Sequence, residues 1–328
     1  MPRAASAPHR RVLPTPEDPL APSEPNRKRR ARSARRVVLP LLRLGLLLAV
    51  VAVCTSGPPS GPPPARPSGP PVPAPVPGPD RAALPGPSAA IASLLGPASR
   101  GHVSLAAVDL ATGRSFAAAP QAPVHTASVV KLDVLEALLL QAQDGHRRLS
   151  PAVDHLATAM IEDSDNDAAT RLWDLAGGAA GLARANVRLG VHDTHLDDAH
   201  WGESTTCAAD QIALLGDLVR PGPLGPAARS YATGLLTHVE DDQSWGVSAA
   251  ADPGAVTGLK NGWLPRDDDG GRWVVGSVGV TTVAGDPVAL SVLTEHQPSE
   301  ASGIALVEAL ARTAAHALTG DGDPTARQ

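Results

Sequence analysis

The chain has almost no lysine. Of its 28 basic residues, 25 are arginine, and the lysines are Lys28, Lys131 and Lys260. Lys28 belongs to a basic N-terminal run, so only Lys131 and Lys260 lie beyond Arg43. Arginine stays protonated under any condition a protein meets, whereas a desolvated lysine can lose its proton and act as a base. A chain that places positive charge with arginine is expected to use lysine where arginine cannot substitute. Aromatic residues are scarce too: Phe116 and Tyr231 are the only Phe and Tyr. Leu, Val and Ala must therefore fill the core. The cysteines are Cys54 and Cys207, too far apart in character to staple one small domain, so the core must hold itself without an internal disulfide.

The net charge of −5 averages two unlike parts. Residues 1–43 carry 11 basic and 3 acidic residues; the rest carries 17 and 30, a net of −13. An acidic body argues against nucleic acid as a partner. The basic head, 1–36, reads as a disordered n-region on the cytoplasmic flank of a membrane segment. That segment is Val37–Cys54, close to the length of a bilayer crossing, although Pro40 and Arg43 interrupt it. Its apolar core, Leu44–Val53, has the length of a signal-peptide h-region. A signal anchor is expected, with a cleaved signal as the alternative. Cys54 stands where a lipoprotein cysteine could stand, although Val53 before it is not small. A Pro-rich linker follows over 55–87. Pro58–Pro87 holds 14 prolines in 30 residues, which suits a semi-rigid stalk better than a core. The expected location is extracytoplasmic and membrane-anchored.

Residues 88–320 form the globular domain, and 321–328 a disordered tail. The domain reads as a short helix (Ser88–Ala98), a hairpin (His102–Ala119) and a helix from Ser128 to Gln143. Further helices follow at Ala152–Ile161, Asn166–Leu175, Ala179–Leu189 and Cys207–Val219. Strand patterns return at Gly254–Trp263, Arg272–Val283 and Pro287–His296, before a last helix at Ser302–Leu318. Strands at both ends of the domain need each other. The expectation is an α/β (α+β) fold: one five-stranded antiparallel sheet flanked by terminal helices, with an inserted all-helical lobe.

Three short patterns carry chemistry. Ser128 and Lys131 form an SxxK; on one helix their side chains share a face, and Lys131 could remove the serine proton. The bland alternative is an N-cap serine and a solvated lysine. Ser164-Asp165-Asn166 forms an SDN. Asp163, Asp165 and Asp167 also match the opening spacing of a calcium loop, but Ala168 stands where the sharp turn needs glycine. Lys260-Asn261-Gly262 sits in a strand pattern, where glycine permits close approach of a ligand. His192, His195 and His200 are spaced loosely enough to read as loop histidines rather than a zinc site. No metal or cofactor is expected.

SxxK, SDN and K-x-G in this order resemble the motifs of penicillin-recognising serine enzymes, and the chain looks most like class A β-lactamases. The resemblance spans about Ile91 to Leu318. It implies that Ser128 is the acylated nucleophile, Lys131 its proton acceptor and Ser164 the proton relay to the leaving nitrogen. Lys260 would shape the field near Ser164 and attract a substrate carboxylate. Asn166, Asn261, Gly262 and Trp263 would contact substrate, with Ser128 and Trp263 backbone N–H groups as oxyanion hole. Three features depart from the family pattern. Asn261 replaces a Thr or Ser. No E-x-x-L-N occurs in Val191–Asp210, which leaves Glu203 and Asp198 as candidate deacylation bases. The short span from Lys131 to Ser164 predicts an open cleft. The implied activity is a monomeric β-lactam hydrolase. The alternatives are a penicillin-binding, peptidase-like enzyme acting on cell-wall peptides, or a non-catalytic wall-binding module.

Overall fold

The structure, a computed structural model, describes residues 89–95 and 102–319. The basic head, the 37–54 segment, the proline-rich linker and the 321–328 tail lie outside the described residues. Among the described residues no helix is long and apolar enough to cross a membrane.

The elements run as follows. Helix α1 (Ala89–Leu94) precedes strands β1 (Val103–Asp109), β2 (Ser115–Ala118) and β3 (Val124–His125). Helices α2 (Lys131–Asp144), α3 (Pro151–Glu162), α4 (Asn166–Ala176) and α5 (Gly178–Leu189) follow. Strand β4 (Thr205–Thr206) leads to α6 (Ala208–Val219) and α7 (Pro226–Leu236). Strands β5 (Gly258–Arg266), β6 (Arg272–Val283) and β7 (Asp286–Gln297) then run into α8 (Glu300–Thr319). The main sheet has five antiparallel strands in the order β2-β1-β7-β6-β5. This is the expected architecture, with the two N-terminal strands joined to the three C-terminal ones through the β1–β7 pair.

Alternation along β6 and β7 sends side chains to both faces, and both faces are buried. One face packs Leu105, Val275, Leu290 and Val292 against Ile91 of α1 and Val307, Leu310, Ala314 and Leu318 of α8. The other turns Val274, Val278, Ala289 and Leu293 toward the helical lobe. Leucine, valine and alanine dominate both clusters.

Local signals set the helix boundaries. Ser150 caps α3 by accepting the Val153 N–H, with Pro151 in the first turn; Asp165 caps α4 by accepting the Ala168 N–H at 2.6 Å. Gly177, at φ +94°, ends α4 in the left-handed conformation that glycine adopts without penalty. Three expectations change. The first helix stops at Leu94, and residues 96–101 lie outside the described set. Helix α7 was not expected, although Pro226 at its first turn is a start signal. The helix foreseen from Ser128 begins at Lys131, preceded by a separate 3₁₀ turn over Ala127–Val130.

Helix α2 is the centre of the lobe: every residue from Lys131 to Leu140 is buried. It therefore carries acids into the core. Gln211 Nε2 donates to Asp133 Oδ2 at 3.4 Å, but Asp133 Oδ1 and both Glu136 oxygens are buried without a hydrogen-bond partner. Desolvation raises the Asp133 carboxyl to about 7 and the Glu136 carboxyl well above its usual range. The native state thus holds protons that the unfolded chain releases near pH 4. Stability is fully present below that pH and falls as pH rises toward 7 and, for Glu136, beyond it. The thermal midpoint should fall by several degrees between pH 5 and pH 8, since 1 kcal/mol is worth about 2–4 °C in a domain of this size. An Asp133→Asn/Glu136→Gln double variant should flatten that slope in a calorimetric pH series. An equally steep slope in the double variant would contradict the assignment.

Candidate active site

The segment that carries Ser128 enters from β3. The β3–β4 ribbon holds it, and the Thr126 N–H donates to the Ser204 carbonyl at 2.7 Å. Ala127 then turns through φ +43°, a strained value for a residue with a Cβ. The 3₁₀ turn follows. Its three residues per turn eclipse positions i and i+3, so half-buried Ser128 lies on the same side as Lys131. The SxxK spacing thus runs through a 3₁₀ turn into the first residue of α2.

Lys131 is fully buried. Its Nζ donates to the Ser164 carbonyl at 2.6 Å, to Ser164 Oγ at 3.0 Å and to Asn166 Oδ1 at 2.8 Å. None of these partners is a carboxylate. Ser164 lies between α3 and α4 at φ +55°, a conformation that puts its carbonyl and its hydroxyl on the same ammonium. Asn166 is the first residue of α4, so the Asp165 cap also places the SDN amide. Lys260 enters from β5. It too is fully buried, and its Nζ donates to Ser164 Oγ at 3.0 Å and to the Asn261 carbonyl at 3.1 Å.

Two ammonium groups therefore converge on one hydroxyl. Desolvation pulls Lys131 down to about 7, against an opposing pull from Asp165. Desolvation, reinforced by Lys131, holds Lys260 well below the usual lysine range. A serine oxygen has two lone pairs and one hydrogen. With both lone pairs taken by lysines, the Ser164 hydrogen is free to point into the cleft. Lys131, near neutrality, can accept a proton at physiological pH.

Gly262 lets β5 reach the Ser128 turn. A Cβ there would lie 2.7 Å from the Thr126 carbonyl, 2.7 Å from Val129 N and 2.8 Å from Ser128 N. No side chain fits, so the strand backbone lies directly on the Ser128 turn. Trp263 follows on the same strand, with Trp245 edge-on to its ring at 5.9 Å. Asn261 is placed differently from the expectation. Its Nδ2 donates to the Gln243 carbonyl at 2.7 Å and the Trp245 carbonyl at 3.1 Å, and the residue is 1% exposed. Both amide hydrogens thus strap the 243–245 segment to β5.

Glu203 ends a 3₁₀ turn, Trp201–Glu203, beside the Ser128 turn. Its carboxylate is ion-paired with Arg266, which also holds Asp268. Asp198 accepts the Ala179 N–H at 2.9 Å and Trp173 Nε1–H at 3.2 Å, fastening the start of α5 to α4. Those bonds, the Ala179 N–H first, hold its carboxyl below the usual range. The residue of this loop that meets Lys131 is Trp201. Its ring centroid lies 5.2 Å from Lys131 Nζ, and its Nε1–H donates to Thr170 Oγ1 at 3.1 Å. The sequence reading passed over Trp201 and Trp245. In a chain with only five Trp, their position beside motif-bearing segments was the available signal.

Residues 150–318 match the family model described as the beta-lactamase enzyme family. The chain belongs to this family. The matched span contains Ser164, Asn166 and Lys260 and begins after Lys131, which reaches it through its hydrogen bonds to Ser164 and Asn166. The class A-like fold is shared with solved structures. A single-site mutant of PBP-A, as its acyl-enzyme complex with penicillin G, is 19% identical. It aligns with a TM-score of 0.60 over 70% of this chain and 94% of that one. A mutant of the last common ancestor of Gram-negative bacteria beta-lactamase class A is 25% identical, with a TM-score of 0.61 over 70% and 98%. "Putative lipoprotein LppW" of Mycobacterium bovis and of Mycobacterium tuberculosis is 32% identical over 176 residues, 49% of this chain and 54% of that protein. The chain spans about half the length of the curated relatives it matches.

The contact at Gly262 gives a sharp test. Gly262→Ala should push the strand off the Ser128 turn and slow acylation by a fluorescent penicillin about 10²-fold, the scale of a 1 Å misplacement at a reacting centre. The fold should survive, as read by circular dichroism. An unchanged acylation rate would show that β5 does not set the position of Ser128.

Proposed function

We propose that the chain is an exported serine hydrolase whose Ser128 is acylated by β-lactams or related amides. The observation that carries this reading is the shared hydroxyl: Lys131 and Lys260 both donate to Ser164 Oγ, with Lys131 at the foot of the Ser128 turn. In the reaction, Lys131 Nζ takes the Ser128 proton as Ser128 Oγ bonds to the carbonyl carbon. The carbon–nitrogen bond then breaks, and the leaving nitrogen takes the Ser164 proton. Ser164 is reprotonated from Lys131, which returns to its neutral form. Backbone N–H groups of Ser128 and Trp263 would receive the oxyanion. Lys260 holds Ser164 Oγ and would donate a hydrogen bond to a substrate carboxylate. A purely wall-binding module has no need for two buried lysines on one serine.

A second reading, the penicillin-binding, peptidase-like enzyme, draws support from Trp201. Clearing the acyl-enzyme needs a base beside the water that attacks the ester. On this side of Lys131 stands an indole, while the Glu203 carboxylate is occupied by Arg266. General-base help is worth about 10²–10⁴-fold. We therefore infer a stable acyl-enzyme with β-lactams and a natural substrate of the cell-wall peptide class. Export rests on the basic head and the Val37–Cys54 segment. The mycobacterial relative, named as a lipoprotein, supports a membrane-bound extracytoplasmic location.

Intact-mass measurement of the full chain with penicillin G tests both readings. A Ser128-dependent adduct should form and then persist, its loss at least about 10²-fold slower than its formation. Ser128→Ala should form none, and Glu203→Gln should leave the loss rate unchanged. Rapid loss that Glu203→Gln abolishes would make Glu203 the base and the protein a turnover β-lactamase. Absence of any adduct would overturn the nucleophile assignment.

A further inference from the structure

The end of β7 carries a second cluster, separate from the Ser128 cleft. His102, Glu295 and His296 each offer a ligand atom, and those atoms lie within 4.8 Å of one another. Glu295 and His296 are neighbours in sequence, and in a regular strand their side chains would point to opposite faces. A bulge changes that. Trp273 pairs with Gln297 and Val275 with Thr294, so two residues of β7 oppose one of β6. His296 takes φ +60° in the bulge, a strained value for a residue with a Cβ. The bulge therefore brings adjacent side chains to a common point, a recognised use of such irregularities. His102 arrives from the start of β1, where the Glu295 N–H donates to its carbonyl at 3.0 Å. The rings of His102 and His296 stand with centroids 3.8 Å apart, tilted by 59°.

Outer groups orient these three. His125 Nδ1 lies 2.8 Å from Glu295 Oε2, and the other carboxylate oxygen, Oε1, faces His102 Nδ1 at 3.9 Å. Asp269 Oδ2 lies 2.6 Å from His296 Nδ1, close enough to pair with the ring though not aligned as a hydrogen bond, and leaves Nε2 for an ion. A carboxylate behind a histidine is the usual support for a metal-bound imidazole. All five side chains are partly exposed, so an ion can reach them.

We propose that His102, Glu295 and His296 bind a divalent transition-metal ion, of which zinc is the best match. Two imidazoles and one carboxylate, with a position left for water, are the donors that zinc takes. Calcium and magnesium require an oxygen-rich shell. The ion would tie the first residue before β1 to the last turn of β7. Through His125 it would also steady the segment that runs into Ser128.

The test is zinc binding by the full chain, measured by competition with a chromophoric zinc indicator. Cobalt substitution would report the ligand geometry by its visible absorption. One equivalent should bind, with a cobalt band of four-coordinate nitrogen and oxygen ligation. Asp269→Asn should weaken binding about 10–100-fold, the usual cost of losing an orienting partner. A His102→Ala/His296→Asn double variant should lose the equivalent while keeping its metal-free circular dichroism spectrum. Asparagine tolerates the positive φ at 296. The proposal fails if the wild-type chain binds no more zinc than the double variant. It also fails if binding survives in the double variant and disappears instead when His192, His195 and His200 are replaced.

Discussion

Two buried ammonium groups on one serine hydroxyl are the constraint around which this domain is arranged. Taking a lysine out of water favours its neutral form, and a second cation beside it favours that form further. Both lysines meet the first condition, Lys260 beside Lys131 meets the second, and Ser164 Oγ is the point they share. Arginine could not serve as the proton acceptor at position 131, because its guanidinium does not give up a proton. The near-absence of lysine beyond Arg43 fits this logic: the two that occur there are both buried against Ser164.

The fold brings three separate segments to that point. Helix α2 delivers Lys131 from the centre of the helical lobe, buried along its length from Lys131 to Leu140. The α3–α4 junction delivers Ser164 and Asn166, held by the Asp165 cap and a left-handed backbone. Edge strand β5 delivers Lys260, and Gly262 lets that strand lie on the Ser128 turn. The cleft is thus the seam between sheet and lobe. What happens after acylation is set by the loop that crosses it. Trp201 lies against Lys131 and Arg266 holds Glu203, which on the proposed reading makes a site that forms an ester and is poorly equipped to hydrolyse it.

Much of this could be read in the sequence, and the exceptions have physical causes. The five strands and the inserted lobe followed from where the β-branched runs fall, because strands at the two ends of a domain must pair. The three motifs picked out Lys131, Ser164, Asn166 and Lys260, which the structure joins in one hydrogen-bonded cluster, and Ser128 on the adjoining turn. Periodicity could not separate the 3₁₀ turn from α2, because positions i and i+3 share a face in both geometries. Asn261 was expected at the substrate. Its amide instead satisfies two backbone carbonyls of the 243–245 segment, a long-range partnership that no local pattern encodes. Trp201 and the His102–Glu295–His296 cluster depend on loop packing and on a β-bulge, and neither leaves a periodic trace.

The protonation state of Lys131 decides the account most directly, and the composition makes it measurable. A chain labelled with ¹³C at lysine Cε should give three resonances, one for each of Lys28, Lys131 and Lys260. Lys131→Arg and Lys260→Arg variants assign them. In a pH titration followed by NMR, the Lys131 signal should move with a midpoint of about 7. The ordinary lysine value is about 10.4. Titration of all three lysines near that value would contradict the account, for it would leave Ser128 without a base at neutral pH.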